Sequence, residues 1–206
     1  MGRIPPLFIL LRYLFDRLSG ARARADELYA VRRRLEAKER PDVAGAAEAR
    51  LALRLRQLRE ELMARIGPVE SCAHCAQPQS ATWPGGFCCS GHTEALFTDH
   101  ELAALRLAGT TAAALTPPRA HQAGCVFRGP KGCSLKVAHR PCLCVRFVCG
   151  QLRSELDKRG NSAAIVRLQD ELRVAFDSFV QQRGKRMEST SLAQLEASLR
   201  GPQDSQ

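Results

Sequence analysis

The sequence predicts a mainly α protein in which a helical hairpin and a C-terminal helix flank an irregular cysteine-rich segment. Three observations carry that expectation. Leu, Ala, Arg and Glu dominate both flanks of the 206-residue chain, and these residues favour helix. Strand signals are few, and aromatics make up only 5% of the residues, so packing must rest on Leu, Ala and Val. All nine cysteines fall between Cys72 and Cys149. The expected organisation is an N-terminal amphipathic segment and helical hairpin over 1–66, a Cys-rich domain over 67–150, and a C-terminal helix with a polar tail over 151–206. An apolar content of 45% is enough for a real core.

Residues 4–19 place Leu7, Leu10 or Leu11, Leu14 and Leu18 on one helical face. Arg12, Asp16 and Arg17 interrupt the stretch, which is too short for a transmembrane span and weak as a signal peptide. Residues 1–20 are expected to pack on the protein or meet a partner; contact of Arg3, Arg12 and Arg17 with an anionic membrane surface is the alternative. Residues 22–39 and 42–66 read as two helices broken at Pro41. Leu28, Val31 and Leu35 form a stripe on the first, and Leu51, Leu55, Leu58, Leu62 and Ile66 form one on the second. Gly67-Pro68 ends the pair. Thr98-x-x-Glu101 is a capping box that starts a helix running to about Leu107, with Gly109 as the stop. Ile165, Leu168, Leu172, Phe176 and Phe179 then predict a helix over about 162–180. After Gly184 the sequence reads as a loosely held polar tail, with one short helix near 192–199.

The cysteines form two groups. Cys72-Ala-His-Cys75 is a C-x-x-C pair followed by the vicinal Cys88-Cys89; Cys125, Cys133, Cys142, Cys144 and Cys149 make the second group. An odd count and the weak leader argue against a disulfide framework and for a reduced cytoplasm. There, clustered thiolates serve as soft ligands for zinc or iron. Adjacent side chains diverge, so Cys88 and Cys89 suit two metals, or two irons of one cluster, better than one ion. Neither group has enough apolar neighbours to fold alone, so the two are expected to meet in space. His74, His92 and His139 are candidates for a Cys3His site, but an exposed or supporting imidazole is the preferred reading; His100 and His121 are weaker candidates. Arg140 and Arg146 flank the last thiols, where a guanidinium can offset thiolate charge.

As a set, these motifs resemble the YkgJ-type bacterial cysteine-cluster family, whose members are regarded as zinc- or iron-chelating domains. The resemblance spans roughly residues 70–150. It rests on Cys72, Cys75, Cys88, Cys89, Phe97-Thr98 with Glu101-Leu102, Gly124-Cys125-Val126-Phe127, Cys133-Ser134-Leu135, Arg140-Pro141 with Cys144, and Phe147 with Cys149. It implies a metal site built from Cys72, Cys75, Cys88, Cys89, Cys125, Cys133, Cys144 and Cys149, holding zinc, iron or an iron–sulfur cluster. The Cys75–Cys88 gap, with its Trp83-Pro84-Gly85-Gly86 turn, is longer than the family's spacer. Cys142 has no counterpart in the motif and reads as a spare, buried thiol. A flagellin lysine N-methylase shares the signature, which leaves a cluster-dependent protein-modifying enzyme as one alternative. A zinc-stabilised nucleic-acid or membrane adaptor is another.

The net charge is +10, and the first 66 residues, with 15 basic and 9 acidic side chains, carry +6 of it. Arg32-Arg33-Arg34 is the densest run. Glutamates are interleaved and no stacking aromatics accompany the arginines, so a solvated helix face is preferred over a nucleic-acid surface. No glycine-rich phosphate loop, Ser-His-Asp set or paired-carboxylate arrangement is present in the sequence.

Overall fold

The computed structural model describes residues 24–37, 45–69, 93–119, 124–129 and 132–199. The amphipathic stretch 4–19, the thiols Cys72, Cys75, Cys88 and Cys89, and His74, His92 and His121 lie outside these residues. Within them the chain is mainly helical. The elements run α1 (24–36), α2 (Ala46–Ile66), α3 (Thr93–Leu96), α4 (Asp99–Leu107), β1 (Arg128–Gly129), β2 (Gly132–Cys133), α5 (Cys142–Arg146), α6 (Gly150–Lys158) and α7 (Ser162–Leu199). Single 3₁₀ turns at Ala112–Ala114 and Val137–His139 join the shorter pieces.

Helices α2 and α7 form the main pair. The α2 stripe buries Ala52, Leu55, Leu58, Leu62 and Ile66, and α7 answers with Ile165, Leu168, Leu172 and Phe179. Each Leu or Ile so covered stabilises the fold by about 1.5–3 kcal/mol relative to an exposed side chain. Ala103, Ala104 and Ala108 from α4, Val145 from α5, and Leu152 and Leu156 from α6 complete this cluster. It therefore draws on residues from all three expected divisions of the chain. Gly67 ends α2 at φ +67°, donating to Met63 O at 2.9 Å, a backbone conformation that favours glycine.

A second cluster joins α1 to the cysteine-bearing turns. Val31 and Leu35 pack with Leu96, Phe97, Leu102, Leu105, Leu115, Val126, Phe127 and Leu135. The Phe97 and Phe127 rings sit 5.3 Å apart, tilted at 52°. Helices α1 and α2 thus bury their stripes in different clusters.

Two expectations are corrected. The C-terminal helix does not stop near 180 to leave a loose tail; it continues through Gly184 to Leu199. A glycine costs a helix interior about 1 kcal/mol relative to alanine. Here Arg183 and Arg186, on either side of it, both pair with Glu48 of α2, which is 1% exposed. That buried ion network holds the helix to the body where its apolar stripe has ended. Nor is the arginine run simply a solvated face. Arg32 donates to Leu115 O at 2.8 Å and Arg34 pairs with Asp99 at 2.7 Å, so only Arg33 of the three is exposed.

Candidate metal centre

The second cysteine group is built from one tight turn and short elements. Gly124 at φ +99° leads into Cys125, and a turn closes with Arg128 N donating to Cys125 O at 2.9 Å. β1 and β2 pair antiparallel, with Arg128 opposite Cys133. Ser134 fixes the exit, its amide donating to Phe127 O at 2.9 Å and its hydroxyl to Thr116 O at 2.8 Å. Arg140 folds back on the same loop, donating to Leu135 O at 2.9 Å and Cys133 O at 3.4 Å. The chain then enters α5, which carries Cys144.

The result is a largely apolar cavity of about 120 Å³ whose wall includes Cys125, Cys133 and Cys144 together with Arg128 and Arg140. Phe97, Phe127 and Phe147 contribute rings to it. Three cysteines, from the Cys125 turn, from β2 and from α5, therefore line one space. Val69 and Leu96 also line it. These residues lie just outside the two ends of the segment that carries Cys72, Cys75, Cys88 and Cys89. Among the described residues alone, no three His, Cys, Asp or Glu side chains form a group able to hold an ion. The cavity wall thus combines soft sulfur groups with guanidinium charge.

Cys125 is 5% exposed, and burial pushes its thiol up to about 11. A hydrogen bond at Phe127 and the Thr93 hydroxyl act in the opposite direction. Thr93 is fully buried; it donates to Glu27 of α1 at 2.7 Å and accepts from Val126 N at 3.0 Å. The chain start of α1 is thereby wired to the Cys125 turn.

The other two thiols lie elsewhere. Cys142 belongs to the α2–α7 cluster, with its Sγ 3.6 Å from the Arg59 guanidinium. Burial, and then the Glu101 charge, push it up to about 12. It is a buried, packed thiol. Cys149 caps α6, accepting from Leu152 N at 3.5 Å, and packs against the same cluster. His139 Nδ1 meets the Thr110 hydroxyl at 3.0 Å. Partial burial and then the Arg56 charge hold it below its ordinary value. Neither His139 nor His100 is among the described residues that line the cavity.

Glu101 differs from its expected role. Thr98 accepts from Glu101 N at 3.3 Å, so half of the capping box forms. The Glu101 side chain instead turns inward and accepts from Cys142 N at 2.9 and 3.1 Å. Burial raises its pKa above 4.5, partly opposed by that amide and by the Arg59 charge. Arg59 is 0% exposed and also donates to Ala138 O at 3.4 Å. Sequence reasoning passed over Arg59 and Arg128. Arg59 was detectable: it lies four residues after Leu55 and three before Leu62, an arginine on an apolar stripe. Arg128 carries no comparable signal.

No family model, curated protein or solved structure matches this chain.

Proposed function

We propose that the chain binds zinc or iron, including iron held as an iron–sulfur cluster, through its clustered thiolates in a reduced cytoplasm. One observation carries this reading: Cys125, Cys133 and Cys144 line a single cavity beside Arg128 and Arg140. Soft sulfur donors select zinc and iron over hard cations. Guanidinium groups beside them offset the negative charge that several thiolates confer on a bound ion. Cys72, Cys75, Cys88 and Cys89 would complete the donor set, as the spacing and the family resemblance imply, with Cys149 as a further donor. A soft cation bound beside Cys125 would hold its sulfur as thiolate, in spite of the burial that favours the proton.

The test is metal analysis with an ultraviolet–visible spectrum of anaerobically purified protein. Sulfide-to-iron absorption identifies a cluster; a colourless protein holding stoichiometric zinc identifies a zinc site. Cys144→Ser should lower metal per chain and destabilise the fold, because lost binding energy is also lost folding energy. Cys142→Ser should keep the metal. A wild-type protein with no bound zinc or iron, and none taken up on reconstitution, would end this reading.

A further inference from the structure

Resting on the metal-binding reading, we infer that Glu101 is a positioning residue that sets the place of Cys144 by capping α5 from another helix. The short helix Cys142–Arg146 begins at Pro141, which has no side-chain acceptor to offer its first amides. Unpaired amides at a buried helix start are costly and need an acceptor. Glu101, projecting from α4, supplies one: its two carboxylate oxygens lie 2.9 and 3.1 Å from Cys142 N, and the Leu143 amide bonds to it as well. It is 4% exposed, so the acceptor it offers is held in place by the surrounding packing. Arg59 acts from the other side, holding Ala138 O and the Cys142 sulfur. Cys144 follows Cys142 by two residues on this helix and lines the cavity, while Cys142 faces the core. The orientation of α5 therefore decides how Cys144 meets the cavity; Gln169 holds its far end by donating to Arg146 O at 2.6 Å, and the Glu101 carboxylate is the acceptor that fixes its start.

Cobalt(II) is the probe, titrated anaerobically into metal-stripped full-length chain, because sulfur-to-cobalt charge-transfer absorption reports the number of coordinated thiolates. Glu101→Ala should reduce the band to the level seen in Cys144→Ser and weaken apparent affinity roughly ten- to hundredfold. The double variant Glu101→Ala/Cys144→Ser should show no loss beyond Cys144→Ser, because two residues acting through one ligand are not additive. Glu101→Gln, which keeps an acceptor oxygen for the amide, should restore most of the band. Where Glu101→Ala does not fold, Glu101→Asp, one carbon too short to reach, carries the same comparison. A wild-type protein with no charge-transfer band sinks the metal reading and this inference with it. A normal wild-type band that Glu101→Ala leaves intact overturns the inference alone. So does an additive loss in the double variant, which would mean that Glu101 acts on the fold at large.

Discussion

The α2–α7 pair and the thiol-bearing turns from Gly124 to Arg146 are held together by different physics. The helix pair is stabilised mainly by area: apart from the buried charges Glu48, Arg59 and Arg183, its buried positions are aliphatic or Phe179, repeating at helical spacing along both partners. The turns have few such residues and are held by directed bonds. Arg140 pins Cys133 and Leu135, Ser134 pins Phe127 and Thr116, and Glu101 with Arg59 pins the start of α5. Area-based packing tolerates a shift and degrades gradually. A directed bond fails when one partner is removed, and it leaves the other buried and unpaired.

That contrast sets the expected effects of substitution. The largest belongs to the helix pair. Phe179→Ala, at a fully buried position, should lower stability by about 3–5 kcal/mol, read as a fall in the urea midpoint with little change in slope. On the proposed metal-binding reading, metal per folded chain should stay at the wild-type level; a selective loss of metal would show that the two regions are not separable. Next comes a clamp. Arg140→Met removes both carbonyl bonds and should cost about 1–3 kcal/mol. Its diagnostic effect is local: Cys133 should become more reactive to alkylation while hydrogen exchange in α2 and α7 stays slow. Uniform acceleration everywhere would remove the distinction between the regions.

Two smaller effects are pH-dependent and opposite in sign. Burial raises the Glu101 pKa above 4.5, so the folded state binds that proton more tightly than the unfolded chain. Its contribution to stability is complete below about pH 4.5 and is lost as pH rises through the raised value. Glu101→Gln should therefore flatten the decline of the denaturant midpoint on the alkaline side of that range; an unchanged slope would refute the assignment. His139 is held below 6.5, first by partial burial and then by Arg56, so its neutral form is favoured in the fold. Its contribution is present above about pH 6.5 and fades as pH falls through the lowered value. His139→Gln should remove a small loss of midpoint on the acid side, the weakest effect of the four. An acid-side slope that His139→Gln leaves as it was would assign that loss to other groups.

Much of the helical body was legible from periodicity. The stripe at Leu55, Leu58, Leu62 and Ile66 and the stripe at Ile165, Leu168, Leu172 and Phe179 read directly as apolar helix faces that need cover. Gly67 and Gly109, both at positive φ, were readable as stops. Gly184 was not a stop, because the interaction that overrides it joins Glu48 to Arg183 and Arg186, more than 130 positions away along the chain. Glu48 itself lies on the buried stripe, four residues before Ala52, and so gave the same kind of signal as Arg59. A charge on an apolar face marks a buried pairing without naming the partner. The short helix α6 escaped notice, although Cys149 in front of it provides the cap.

What the sequence by itself determined is what depends on neighbours three or four positions apart: the identity of α1, α2, α4 and α7, the stops at Gly67 and Gly109, and the concentration of thiols between Cys72 and Cys149. Those features follow from backbone geometry and local composition, which are the same wherever the segment lies. Only the tertiary structure decided which thiols share a space. It set Cys125, Cys133 and Cys144 around one cavity, turned Cys142 into the core and set Cys149 at a helix start. It likewise took Glu101 out of its local capping box and gave it to an amide 41 residues away. The physical reason is burial. Once a polar group leaves water its partner must be found in three dimensions, and spacing along the chain does not encode which one it will be.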